Sequence, residues 1–521
     1  MSPQASFPLP PLPNCTMETS FFYEPIIAIF LILPVLYITY TASFPSLPGP
    51  GLLEYLPGGI IFPLWTNSAV FSRIMVKLGK AYGDIFSLWL GPAHVIVTSI
   101  PADVVQVMHA VDDFDRPREI KAVFEAVAPG GVFSMPVAPH RHIKKVLRSR
   151  FNHTMLKGFH THMTEAIVEL CECLHTAVDQ GSEPGSSDVV NISEITSLTT
   201  FRVITNVAFG SNMTKPERLD FSESMTKIMP EMMKDYVGYP VRQALTMFGT
   251  RKKLLHHKAK IKETCDRFIE KRQAETEEQR NAREPDMLDT ILSLKEHPMD
   301  VIRSIAAEFG VGGSHTSNQM LTWCLFETCC NPRVIAKIEL ELEAVLGDRS
   351  GDDPMSFEDL GKLPYMKKVW KETCRMHPMG PFLNRITTKD LTLKGSGVRV
   401  TKGTNVLAFY QKCQMDPAIW KDPHKFKPER WGTGSERKEG DLVVPGAYVP
   451  FGIGTFSCPG RFLADYEGPL ILAEMHRRFK FTLACRPDEV ESCTAFVESP
   501  RYINKAKNID MGLPLRIERR V

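Results

Sequence analysis

The stretch Pro450–Gly460, PFGIGTFSCPG, sets Cys458 in a glycine-rich loop directly before a helical pattern. That pattern opens Pro459-Gly460-Arg461 and runs on as FLADYEGPLILAEMHRRF. A cysteine just ahead of a helix meets unbonded backbone N–H groups and the positive end of the helix dipole. Both favour its thiolate. Proline suits the first helical position, where its missing N–H costs nothing. Gly454 permits a turn closed to residues with a β-carbon, and Gly460 lets a flat ligand approach the backbone. The alternative for Cys458 is a buried structural cysteine.

Upstream, LPYMKKVWKETCRMHP, Leu363–Pro378, places Glu372 and Arg375 on one helical face. Many surface helices carry such a pair. Further along comes FKPERW, Phe426–Trp431. Taken in order, Phe451-x-x-Gly454-x-x-x-Cys458-x-Gly460 resembles the haem-binding signature of the cytochrome P-450 monooxygenases. Glu372 and Arg375 resemble that family's Glu-x-x-Arg helix, and Phe426–Trp431 is similar to its Pro-Glu-Arg-Phe element. The resemblance covers nearly the whole chain. It implies a mainly α fold with small β-sheets (α+β) and haem b in the loop of Phe451, Gly454 and Gly460, with Cys458 as the iron ligand. It also implies a buried network of Glu372, Arg375 and Arg430. Planar arginine forks suit such a network, and an unpaired buried charge there would cost several kcal/mol.

Within the apolar helical stretch Val301–Cys330 lies Gly312-Gly313-Ser314-His315-Thr316-Ser317. Glycines inside a helix cost about 1 kcal/mol each against alanine, so the pair needs a reason. By the resemblance, this segment crosses over the haem and Thr316 matches the alcohol beside dioxygen. His315 stands where the family has an acid. A histidine of ordinary pKa exchanges protons near neutrality, which makes Thr316 and His315 the candidate catalytic pair. A core histidine bonded within the helices is the alternative.

The resemblance also suggests how the haem propionates are held. Arg385 matches a propionate contact, and His140 and Lys144 fall where the family usually has Trp and Arg. Phe456 stands where a basic partner is common.

The N-terminus departs from a soluble pattern. Pro25–Ala42, PIIAIFLILPVLYITYTA, carries no charge and follows Phe21, Phe22 and Tyr23. A membrane span needs about 20 apolar residues. No Lys or Arg precedes Arg73, so the basic region of a cleaved signal peptide is missing. The expected organisation is an N-terminal segment with a transmembrane anchor (1–43), a Pro/Gly-rich hinge (44–59) and a catalytic domain (60–521). A cleaved signal peptide is the alternative to the anchor.

The rest of the chain fits one large mixed domain. Asp84–Val97 reads as a β-hairpin around Gly91-Pro92, about Lys144 to Leu346 is mostly helical in pattern, and Asn384–Leu407 is rich in strand formers. Sixty-two Lys and Arg against 60 Asp and Glu leave a net charge of +2, so no basic field suggests nucleic acid. Twelve cysteines without paired spacings argue against a secreted disulfide framework. The run Arg251–Lys262 is a solvated helix face or a membrane or partner patch. His160, His162, Cys171 and Cys173 match no zinc spacing.

The resemblance therefore implies an oxidoreductase that takes electrons from NADPH-cytochrome P-450 reductase, with cytochrome b5 as an optional second partner. It would insert one atom of O2 into a lipophilic substrate such as a terpenoid, steroid or fatty acid. The expected place is the endoplasmic reticulum membrane, single-pass, with the catalytic domain cytosolic. Arg141, Lys145 and Arg148 are a basic patch for an acidic reductase, or simply solvated. Segments implied to line the pocket are Val123–Met135, Met225–Met247, Phe309–Val311 and Phe382–Leu383. The alternatives are a haem-thiolate isomerase or dehydratase and a non-catalytic haem-binding membrane protein. Retention of Thr316 together with Cys458 argues against both.

Overall fold

The computed structural model describes residues 47–51, 54, 70–90, 93–148, 153–181, 189–210, 213–239, 241–283, 285–347, 349, 353–432, 444–504, 509–510 and 512–520. The expected anchor at residues 21–42 lies outside these, as does most of the hinge. Among the described residues no helix is long and apolar enough to cross a membrane. The described end of the hinge lies against the first strand, where Ser87 N donates to Pro48 O at 2.9 Å.

Six helices organise the site: α1 (Val137–Arg148), α2 (Ile192–Phe209), α3 (Lys215–Val237), α4 (Met299–Cys330), α5 (Pro364–Met376) and α6 (Arg461–Arg478). At 32 residues, α4 is buried on every face from Ile302 to Thr328. That explains why its apolar residues follow no single stripe. It packs against α2, α3, α5 and α6. Local chemistry sets the helix starts. The Asn191 side chain accepts from Ser193 N at 3.2 Å and caps α2, and Pro364 opens α5 where no N–H is needed.

The sequence expects the last long helix to begin at Pro459, but it begins at Arg461, with Gly460 as its cap. Cys458 N is turned back to Phe451 O at 2.8 Å, and the first helical bond runs from Ala464 N to Gly460 O at 3.0 Å. Pro459 therefore still belongs to the loop.

A five-stranded sheet sits beside the helical body. Strand β1 (Ile85–Leu90) pairs antiparallel with β2 (Ala93–Thr98), as the hairpin reading expects, and Gly91 and Pro92 lie outside the described residues. The remaining strands are β3 (Phe114–Asp115), β4 (Leu383–Thr387) and β5 (Asn405–Ala408), in the sheet order β1-β2-β5-β4-β3. In the β3–β4 pairing Asp115 lies opposite Ile386, so positions 116 and 385 become neighbours across the ladder. A further hairpin, β6 (Val490–Ala495) and β7 (Val497–Asn504), turns at Phe496, which adopts φ +60°. It lies against α4 through β7. One large apolar core fills the helical body, and a smaller one lies under the sheet around Ile96, Phe114 and Val406.

Candidate active site

Gly452 and Gly454 adopt φ +64° and +72°, and a β-carbon at Gly454 would come within 3.2 Å of His109 Cα and Met108 O. The loop therefore requires glycine at 454 for both its conformation and its close approach. The Cys458 side chain is open to solvent-sized space, yet desolvation by the surrounding protein raises its thiol pKa. Together these put the sulfur on the wall of an internal hollow rather than on the outer surface. The Gly460 N–H, Lys144 and Arg461 pull the other way, toward the thiolate.

Lys144, from α1, clips this loop. Its Nζ donates to Thr455 O at 2.6 Å, Ser457 Oγ at 2.8 Å and Gly454 O at 3.3 Å. The resemblance implies a propionate contact for Lys144, whereas its three donors here serve the cysteine loop.

A second group gathers around the Phe456 ring. The guanidinium carbon of Arg116 lies 4.1 Å from the ring centroid and that of Arg385 4.7 Å, and the His140 ring is 4.6 Å away. All three residues are buried. Arg116 Nη1 donates to Met135 O and Arg385 Nη1 to Asn384 O. Burial lowers Arg116 to about 10, and burial with the neighbouring Arg116 lowers Arg385 to about 9. Burial and the three cations Arg116, Lys144 and Arg385 lower His140 to about 3. His140 Nδ1 is buried without a hydrogen-bond partner. Neither arginine forms a salt bridge among the described residues; Asp115 acts on both and Glu308 on Arg116 only from beyond ion-pair distance, so the group keeps buried positive charge that a ligand's counter-charge would stabilise. A cysteine sulfur on a hollow beside a buried cationic seat that lacks an ion-pair partner fits a haem, whose carboxylates would complete the seat.

Arg116 is the residue that sequence reasoning missed. Arg116 sits in the short link between β3 and the helix at Arg118–Val127, and what brings it to Arg385 is the β3–β4 pairing across some 270 residues of chain.

Behind the loop, the structure brings Glu372, Arg375 and Arg430 together. Arg375 donates to both Glu372 oxygens, at 3.0 and 2.9 Å, and to the carbonyls of Gln414 and Pro423. Arg430 Nε reaches Glu372 Oε1 at 2.9 Å, and Trp431 Nε1 reaches Oε2 at 3.0 Å. Gln414 relays the network onward. It donates to Arg375 O at 2.7 Å and accepts from Val449 N at 3.2 Å, at the mouth of the cysteine loop.

On α4 the two glycines have different reasons. A β-carbon at Gly313 would sit 2.5 Å from Ile204 on α2, while one at Gly312 would meet open space. Thr316 Oγ1 donates to Gly312 O at 2.5 Å, a back-bond common to helical threonines. Burial, with a smaller contribution from Arg501, lowers His315 to about 4. The ordinary imidazole pKa assumed from sequence does not survive this burial.

Glu308, also on α4, went unnoticed in the sequence. It accepts from Val132 N and Phe133 N, pinning part of the 123–135 segment to α4, and burial raises it to about 8. Aromatic rings from separate elements meet nearby. Phe124 stacks on Phe133 at 4.8 Å and contacts Phe496 at 5.9 Å, and Tyr236 lies 5.7 Å from Phe496 and 6.2 Å from Phe382.

Comparison with known proteins agrees with this geometry. Residues 56–503 match the family model described as Cytochrome P-450. The chain is 26% identical to corytuberine synthase of Coptis japonica, covering 89% of this chain and 94% of that protein. It is 26% identical to carnosic acid synthase of Rosmarinus officinalis over 79% and 82%, and 28% identical to geraniol 8-hydroxylase of Swertia mussotii over 82% and 87%. With a family match over most of its length and a cysteine loop, cationic seat and Glu-Arg-Arg network that fit a thiolate-bound haem, the chain belongs to the cytochrome P-450 family of haem-thiolate monooxygenases.

Proposed function

We propose that this protein is a membrane-anchored monooxygenase that hydroxylates a lipophilic secondary metabolite, with electrons from an NADPH-dependent reductase. The observation that carries the reading is the protein-lined space at Cys458 beside a buried cationic seat whose two arginines have no ion-pair partner among the described residues. A thiolate-bound haem held there would supply the chemistry that activates dioxygen and inserts one oxygen atom, the other leaving as water.

The chain's own residues provide the setting. Cys458 would supply the thiolate that holds the iron, Gly454 lets the loop pass close to His109 and Met108, and Gly460 would leave the space beside the sulfur open. Arg116, Arg385 and His140 hold the propionates, while Lys144 fixes the loop carbonyls behind the sulfur. Thr316 holds a proton at Oγ1, and the open space at Gly312 leaves room for a small ligand beside it. Phe124, Phe133, Tyr236, Phe382 and Phe496 exclude water and offer flat apolar faces.

Those faces, with the substrate named for geraniol 8-hydroxylase and the product named for carnosic acid synthase, favour a terpenoid-like substrate. The segment at residues 21–42 is the anchor, and the endoplasmic reticulum is the membrane. The test combines two measurements on the full chain: displacement of the haem's distal water by candidate lipids, and NADPH consumption with reductase present. A terpenoid that shifts the spectrum and is converted to a product carrying one added oxygen supports the reading. Turnover of a substrate without reductase or NADPH would instead favour the isomerase.

A further inference from the structure

Phe456 lies two residues before Cys458, among three basic side chains. Arg116 directly follows β3, Arg385 lies on its partner strand β4 and His140 on α1, and all three approach the same ring at 4.1, 4.7 and 4.6 Å. Two buried guanidiniums this close repel each other, and neither has a salt-bridge partner among the described residues. A basic residue at 456 would add a third charge. A carboxylate would offset one of the two charges and weaken the pair's attraction for an anionic ligand. An aromatic ring does neither, since its negative face attracts both cations and leaves their net charge unspent.

We infer that Phe456 is the positioning residue of the propionate seat, its ring holding Arg116 and Arg385 in place by cation–π contact while their charge remains available to the haem carboxylates. This rests on the haem reading above. The burial-lowered pKa values of both arginines agree with it, because each cation is destabilised until an anion arrives.

The test measures haem transfer from the full-length protein to an excess of haem-free globin, the melting temperature of the haem-free protein, and the ferrous carbon monoxide spectrum. Phe456→Leu should release haem about tenfold faster, the loss expected for desolvated cation–π contacts. Phe456→Trp, with a stronger π face, should hold haem at least as long as the parent. In an Arg116→Gln background the Phe456→Leu effect should shrink, because one cation of the pair is gone. A purely packing role makes another forecast: Phe456→Leu would lower the haem-free melting temperature and its effect would add to that of Arg116→Gln. That result, or unchanged haem release in Phe456→Leu, overturns the inference. If Phe456→Leu fails to fold, Phe456→Met makes the same comparison. A parent protein without the red-shifted carbon monoxide band would overturn the haem reading itself, whereas an intact band with unchanged release rates overturns only the role of Phe456.

Discussion

Arg375 and Glu372 meet fork to fork, Nε to Oε2 at 3.0 Å and Nη2 to Oε1 at 2.9 Å, with both side chains fully buried. The same carboxylate accepts from Arg430, Trp431 and the Lys427 backbone. Every lone pair is engaged, which makes the burial of this charge tolerable and the loss of any member severe.

Glu372→Ala and Arg375→Ala should therefore destabilise the protein by about 3–5 kcal/mol, each stranding a buried charge. Because Gln414 links Arg375 to Val449, the cysteine loop should loosen too, and both variants should purify with little haem. Full haem occupancy in both would remove the network from the account.

Cys458→Ser should abolish the red-shifted carbon monoxide band of the ferrous protein, since a hydroxyl is a far poorer iron ligand than a thiolate. A band identical to the parent's would show that Cys458 does not bind the iron.

The paired glycines of α4 should respond in opposite directions. Gly312→Ala adds a methyl to open space and should raise stability by about 1 kcal/mol through helix propensity. Gly313→Ala drives its methyl into Ile204 and should cost about 1–3 kcal/mol, with Ile204→Val recovering part of the loss. Thermal unfolding of the three variants checks this. Equal effects at 312 and 313 would contradict the packing described.

His315 should leave a pH signature in stability. Unfolded, it protonates near 6.5, and folded only near 4. Above 6.5 both states are neutral and folding loses nothing. As pH falls from 6.5 to 4 the unfolded state gains a proton that the folded state refuses, which costs up to about 3 kcal/mol. His315→Phe should flatten that decline in chemical denaturation, and an unchanged slope would place the histidine elsewhere. On the catalytic side, Thr316→Ala should keep haem and substrate binding but divert electrons into hydrogen peroxide. His315→Ala should lower product formed per NADPH only if the imidazole passes protons while neutral.

Deleting residues 1–44 should move part of the protein to the soluble fraction with its haem spectrum intact. A mature N-terminus beyond Ala42 would mean that the segment is cleaved rather than kept as an anchor.

What the sequence determined by itself is the local chemistry. Gly454 and Cys458 in one loop, Glu372 and Arg375 one helical turn apart, and the β1–β2 hairpin are each set within a few residues of chain. Turn geometry and helical periodicity act over that range, so these features were legible without a structure. The tertiary structure alone decided the rest. It brought Arg116 beside Arg385 by pairing β3 with β4 and turned Lys144 onto the loop carbonyls. It set Phe456 under two guanidiniums, gave Gly313 its reason in Ile204 on another helix, and made His315 a poor base by removing its water. Contacts across long stretches of chain and the local dielectric arise only once the chain has packed, and no short stretch of sequence encodes either.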